Sequence, residues 1–365
     1  MARNRVIYQS EALYISEDAS LLGADNHKQV ERVQSANFSY TINRQDINQF
    51  GELARIDSVI LDAPTVSSDF SYYLTDGFNE RALGFYVNTG GGNRHGEGQI
   101  ASGHMIGSSG KNLFIITGPE GKDLNGEGAL SSEDSTIGIG NCYVSDYTID
   151  LAVGSIPTAS VSLEAANVRS DATANTIDNP AVDQEAGTAM AGTIQLPDPT
   201  AGPSSIKALR PGDITVSLAN FEGDTIADLN GAGAAHVQSV SINMPLSRSP
   251  LQRLGSRFPF AREPDFPINV SLSVSAIVNE DTAFQLASKL TAAAANATVT
   301  LKNKSGTEAM LFTLKGAKVD SESMSSAIGS NKTVDLTLSA QIGGIADTSA
   351  GLFVSGANDT EAFEY

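Results

Sequence analysis

Apolar and polar positions alternate with a period of two in stretch after stretch of this chain. Residues 33–42 set Phe38, Tyr40 and Ile42 on one side of an extended backbone and Asn37, Ser39 and Thr41 on the other, as a half-buried strand does. Residues 268–278 repeat the pattern with Ile268, Val270, Leu272, Val274 and Ala276 against Asn269 and a row of serines. The same reading predicts strands over 6–16, 65–74, 141–153, 158–165, 213–218, 310–319 and 333–342. It also predicts a hairpin over 297–314 that turns at Lys304-Ser305-Gly306-Thr307. Only two short runs read as helical, 79–86 and 281–290, the second with Asp281 placed to cap it.

The strands come in two matching sets. Val33-Gln34-Ser35 recurs as Val237-Gln238-Ser239, after which Phe38 falls with Ile242, Tyr40 with Met244, Ile42 with Leu246, Arg44 with Arg248, Ile47 with Leu251, Phe50 with Leu254 and Gly51 with Gly255. A one-residue slip then sets Asp62-Ala63-Pro64 against Asp265-Phe266-Pro267. Further on, Val153-Gly154-Ser155 matches Ile328-Gly329-Ser330, and Ser162-Leu163-Glu164-Ala165 matches Thr337-Leu338-Ser339-Ala340. Blocks in the same order in both halves imply a tandem duplication of one domain. The reading divides the chain into a first domain at 1–169, a linker at 170–206, a second domain at 207–343 and an acidic tail at 344–365. The linker holds Pro180, Pro197, Pro199 and Pro203 with several acids and neither Lys nor Arg, so it is expected to be semi-extended, poorly packed and off any central sheet.

Residues 43–61 break the alternation. They bring Arg44, Asp46, Glu52 and Arg55 beside Ile47, Phe50 and Leu53. Their copy at 247–265 holds Arg248, Leu251, Arg253, Arg257 and Arg262 among several prolines. Connections of this length inside a compact domain tend to be functional or mobile, and mixed charge around apolar anchors points to an interaction surface.

A formal net charge of -19 opposes nucleic-acid binding through phosphate neutralisation. One cysteine, Cys142, rules out an internal disulfide; it reads as a small buried hydrophobe and fits a reducing compartment. No stretch has the roughly 20 apolar residues of a membrane-spanning helix, and the first residues lack the apolar run of a signal peptide. The chemistry-bearing residues are scattered. His95 and His104 with Glu97 lie in a Gly/Ser-rich insertion at 88–112 and read as solvated, not as a metal site. Gly90 to Gly96 lacks the phosphate-loop pattern, no GxSxG elbow occurs, and carboxylate pairs such as Glu133-Asp134 read as solvated loop residues. The expectation is a protein with no cofactor and no catalytic constellation.

Three stretches carry a family resemblance: RVQSANFSYTINRQDINQFGELARIDSVI, PTVSSDFSYYLTDGFNERALGF and GNCYVSDYTIDLAVGSIPTASVSLEA. In these the chain resembles bacteriophage major tail tube proteins, and the duplication resembles members with two fused tube domains. The resemblance implies an all-β fold with short flanking helices: two tandem β-sandwiches that contribute to a shared inner β-barrel. It implies homotrimeric, pseudo-hexameric rings stacked into a tube in the virion tail, assembled in the host cytoplasm. The implied partners are other copies of the chain, a tape measure protein in the lumen, and a tail terminator and baseplate at the ends, with DNA passing through unbound. It also assigns stacking to the 43–61 loop and its copy, hence to Arg44, Asp46, Ile47, Phe50, Glu52, Leu53, Arg55, Arg248, Leu251, Arg253 and Arg257. A baseplate or tail-tip hub protein of the same fold, a carbohydrate-binding adhesin and an enzyme are the alternatives; the lack of Trp argues against the adhesin.

Overall fold

A computed structural model describes residues 11–88, 100–101, 104, 110–125, 128–202, 204, 206, 208–218, 236–277, 293–329, 331–344 and 347–357. The first half contributes β1 (Glu11–Ser16), β2 (His27–Gln29), β3 (Val33–Thr41), β4 (Arg44–Ile47), β5 (Asp57–Ile60), β6 (Thr65–Tyr73), α1 (Phe78–Ala82), β7 (Lys111–Thr117), β8 (Ser135–Ala152), β9 (Thr158–Ala165) and β10 (Asn167–Asp171). Four two-residue strands follow: β11 (Ile177–Asp178), β12 (Val182–Asp183), β13 (Thr188–Ala189) and β14 (Thr193–Ile194). The second half contributes β15 (Ile214–Ser217), β16 (His236–Pro245), β17 (Arg248–Leu251), β18 (Ala261–Pro264), β19 (Ile268–Ile277), β20 (Ala295–Lys302), β21 (Glu308–Ser325), β22 (Thr333–Ile342) and β23 (Gly351–Gly356). The all-β expectation holds. The expected helix at 281–290, and most of the 88–112 insertion, lie outside the described residues.

The sandwich layers follow from two long strands that change sheets. β8 and β21 each run 18 residues. The first part of β8 pairs with β7 and β10, and its second part with β9; the ladder breaks register between Val144 and Asp146. β21 does the same with β20 and β23, then with β22, and breaks register between Val319 and Ser321. These bulges fall at matching places in the repeat, and a bulge bends the strand that carries it, letting one strand serve both layers. Alternation then sends apolar side chains inward from both sheets. Phe70, Tyr72, Tyr147, Val161, Leu272, Leu336 and Phe312 lie in one continuous buried cluster that spans both halves.

Beside that core, α1 is buried along its whole length. Asn79 clamps the Glu31 backbone through hydrogen bonds in both directions, at 2.8 and 2.9 Å. The Glu80 carboxyl accepts from the hydroxyls of Tyr72 (2.8 Å) and Tyr147 (3.0 Å). Burial pushes its pKa up, which favours the neutral acid. Helix 79–86 of the sequence reading is thus shorter, and it serves the core.

Several expectations are corrected. The 170–206 segment is packed. Ala174, Ile177 and Ile194 close a second apolar cluster over Tyr14, Phe114 and Ile116, on the outer face of the first sheet. It seats closely because Gly140 lacks a side chain: a Cβ there would stand 2.3 Å from the Pro180 carbonyl oxygen. Apolar residues spaced among the prolines carry this packing, and composition averaged over the segment conceals them. Within the expected tail, residues 351–356 form a strand. Leu352, Phe353 and Val354 of β23 are buried against β21, and Gly356 leaves room for the Asp76 carbonyl oxygen, 2.3 Å from where its Cβ would be. Asp134 is buried, not solvated, and takes hydrogen bonds from Lys122 and Ser131. Burial alone would raise its pKa, but these bonds outweigh it and hold the carboxyl below its ordinary value. Finally, the repeat needs no slip through the third strand. Tyr72 opposes Val33 as Ala276 opposes Val237, and Arg44 opposes Ile60 as Arg248 opposes Pro264.

Candidate assembly interface

One layer of the fold is a single antiparallel ladder that runs through both halves in the order β3-β6-β9-β8-β16-β19-β22-β21. Its first four strands repeat as its last four, in the same order. The halves meet at a seam where β8 pairs with β16, Ile149 opposite Ile242 and Tyr147 opposite Met244. Polar side chains tie the same seam on its other face: Ser241 to Asp150 at 2.8 Å, and Asn243 to Asp146 and Thr148 at 3.0 and 2.8 Å.

β3 holds the place of β16 in the first half, but no strand lies beside it there among the described residues. The consequence is read at matched positions. Ile242, Met244 and Leu246 are 2 %, 0 % and 2 % exposed, whereas Phe38, Tyr40 and Ile42 are 37 %, 63 % and 37 % exposed. The expected half-buried face of residues 33–42 is therefore partly open to solvent in the isolated chain, most of all at Tyr40. At the other end, residues 318–325 of β21 have β22 as their one neighbouring strand among the described residues, and Met324 and Ile328 stand exposed. An open ladder, with an apolar row at its β3 end and Met324 and Ile328 at its β21 end, is a template for another strand.

Away from the core, the ladder presents a face of Ser, Thr and Asn with Asp69, Asp146, Asp150, Glu164 and Asp335. Its paired strand residues include a single Lys or Arg, Lys318.

Residues 43–61 and 247–265 form β-hairpins, β4–β5 and β17–β18, not irregular loops. Turn and strand propensities were masked by the charges. At the tip of the first, Phe50 and Leu53 are fully exposed; Ile47 is exposed as well. Arg55 pairs with Asp46 at 2.9 Å and Gln49 with Glu52 at 3.0 Å, both at the surface, and Arg44 is exposed. The second hairpin is anchored in its own chain. Arg248 is buried, gives hydrogen bonds to the carbonyls of His104 (2.8 Å) and Arg262 (3.1 Å), and lies over the Tyr143 ring. Burial lowers its pKa. Arg253 bonds the Glu185 carbonyl and covers Phe260, and Arg262 pairs with Glu164 at 2.8 Å. Arg248 and Arg253 were expected to meet an adjacent ring; they are engaged within the chain. Leu251, Leu254 and Arg257 remain exposed.

The free ladder edges, Tyr143 and Ile328 were missed at the sequence level, although matched repeat positions such as Phe38 and Ile242 held the signal. No metal-binding group of His, Cys, Asp or Glu occurs among the described residues.

No family model and no curated protein matches this chain. Among solved structures, it is similar to a chain in the cryo-EM structure of the anti-feeding prophage baseplate, 6-fold symmetrised, at 17 % identity and a TM-score of 0.26, covering 32 % of this chain and 78 % of that one. A likeness of that extent carries no functional argument.

Proposed function

We propose that the protein is a structural subunit of a phage tail tube, which closes into rings through the two open ends of its inner ladder. The observation that carries this is the β8–β16 seam. The chain already joins the last strand of one half to the first strand of the next, and the same two kinds of strand stand open at its ends. Joining unlike surfaces head to tail gives a ring when the rotation closes. Three chains of two halves supply six similar wedges, hence a trimer with pseudo-sixfold symmetry. In a ring closed this way the polar, acidic face of the ladder lines the lumen. Such a wall repels polyanionic DNA instead of holding it by counterion release, which suits a conduit for ejection. Tip residues Phe50, Leu53 and Leu254 are the surface left for stacking. Support for the reading comes from the ladder order, the exposed apolar row of β3 and the charge of the face, together with the resemblance in the sequence.

Negative-stain imaging and native mass spectrometry of the purified chain test it. The expected species is a ring of three chains, alone or stacked into tubes. Six full-length chains per ring would overturn the trimer, and a monomer at every concentration would overturn the structural role. Rings that never stack would favour a terminal or hub component.

A further inference from the structure

The repeat specifies the contact between protomers down to its register, and we infer that residues 321–328 of one copy pair antiparallel with residues 34–41 of the next as β8 pairs with β16. This rests on the ring-forming role proposed above; it adds which strands meet, how they align and what fills the groove beside them.

The alignment follows by carrying each internal pair over to its repeat-equivalent positions. Ile149 opposite Ile242 becomes Met324 opposite Phe38, and Tyr147 opposite Met244 becomes Glu322 opposite Tyr40. The sizes compensate: where β21 carries Glu in place of Tyr, β3 carries Tyr in place of Met. On the polar face, Thr148 opposite Asn243 becomes Ser323 opposite Ser39, and Asp150 opposite Ser241 becomes Ser325 opposite Asn37. No like charges oppose one another there, and such opposition is what would disfavour a strand pair. Internal backbone bonds run from Val153 N to Gln238 O at 2.9 Å and from Leu246 N to Ser145 O at 2.8 Å. Their counterparts run from Ile328 N to Gln34 O and from Ile42 N to Asp320 O.

Two grooves support this register. One of about 280 Å³ has Val216, Val237 and Val240 on one side, and Leu151, Ala152 and Val153 at the end of β8 wall its other side. A second, also of about 280 Å³, lies at the equivalent place in the first half, with Leu13, Val33 and Ala36 where the other has Val216, Val237 and Val240. Asn125, Thr200 and Ala201 also line it, but among the described residues no strand stands in the place of the β8 wall. In the repeat, that wall corresponds to Ser326, Ala327 and Ile328, and the Ile328 side chain is 108 % exposed. The occupant is thus a second copy of this chain, with Ile328 closing the groove beside β3.

The test is a cysteine pair. Ser39 and Ser323 take the places of Asn243 and Thr148, which lie directly opposite between hydrogen-bonded pairs, where Cα atoms stand roughly 4.5 Å apart, within disulfide reach. The sole native cysteine, Cys142, is buried. The full chain carrying Ser39→Cys and Ser323→Cys, oxidised with copper phenanthroline, is expected to give covalent dimers and trimers on non-reducing gels, with peptides linked through positions 39 and 323. Each single variant should stay monomeric on those gels. Asn243→Cys with Thr148→Cys is the positive control and should link within one chain. A shifted pair, Ser39→Cys with Ser325→Cys, should link at least tenfold more slowly. If the control links and the 39–323 pair does not, or the shifted pair links faster, the register is wrong. Rings seen by imaging alongside that failure would leave the structural role standing; absence of both rings and links would overturn the two together.

Discussion

β3 and β16 are the same strand written twice, and they differ in what covers them. Each sets three large apolar side chains toward the interior and polar ones away from it. In the second half β8 lies alongside and seals the apolar row, whereas in the first half no described strand does so and the row is partly exposed. A chain that merely needed a stable fold has no reason to keep Phe38, Tyr40 and Ile42 at an open edge, where they invite uncontrolled strand addition. The internal seam shows what such an edge looks like when satisfied, and this is the contrast on which the proposed assembly rests.

That contrast is broken most sharply by the same substitution at matched sites. Met244→Asp places a carboxylate in a sealed apolar core and is expected to cost more than about 4 kcal/mol, enough to prevent a normal melting transition. Tyr40→Asp is expected to change the melting free energy of the isolated subunit by less than about 0.5 kcal/mol, yet abolish ring formation in sedimentation runs. Equal destabilisation by the two would mean that β3 is covered within its own chain.

The hairpins sharpen the comparison at intermediate cost. Arg248→Ala removes hydrogen bonds to two carbonyls and a cation over Tyr143, and should cost about 2–3 kcal/mol in urea unfolding. Arg44→Ala, at the equivalent but exposed position, should be neutral within about 0.5 kcal/mol. A matching loss at Arg44 would show the first hairpin to be docked in the subunit as the second is.

Much of this architecture is legible in the sequence because period-two alternation is a strong local signal. The ranges expected for residues 65–74 and 333–342 fall within a residue of β6 and β22. What escapes is non-local. Nothing near Arg248 announces the His104 carbonyl it meets, because that partner is brought over by the fold. β21 was read as ending at Val319, because its outward Ser321, Ser323 and Ser325 lack a complete apolar row behind them. An edge strand with one neighbour carries too broken an apolar pattern to be read from its own sequence. The packed 170–206 segment hides for a related reason: its buried residues are few and spaced by turns, so no periodicity marks them.

The smallest effect on folding, and the one that separates two kinds of contact, is expected at the hairpin tips. Phe50 and Leu254 are repeat equivalents, and both are fully exposed. This differs from the β3 row, whose counterpart in the second half is sealed. The β8–β16 seam covers the apolar row of β16, and Arg248 anchors the base of the second hairpin, but neither contact covers Leu254. In-plane joining of the kind seen inside the chain therefore leaves the tips bare in both halves, and under the proposed ring their cover would come from an adjacent ring. Phe50→Ala should change subunit stability by less than about 0.5 kcal/mol, since the side chain touches little in its own chain. At a stacking contact the same truncation removes roughly 1.5–3 kcal/mol of apolar burial at each site, repeated for each subunit in the ring. Sedimentation and imaging should then show intact rings with short tubes or none, and Phe50→Ala combined with Leu254→Ala should abolish stacking. Full-length tubes from the double variant would remove the tips from the axial contact; loss of the rings themselves would move them into the seam.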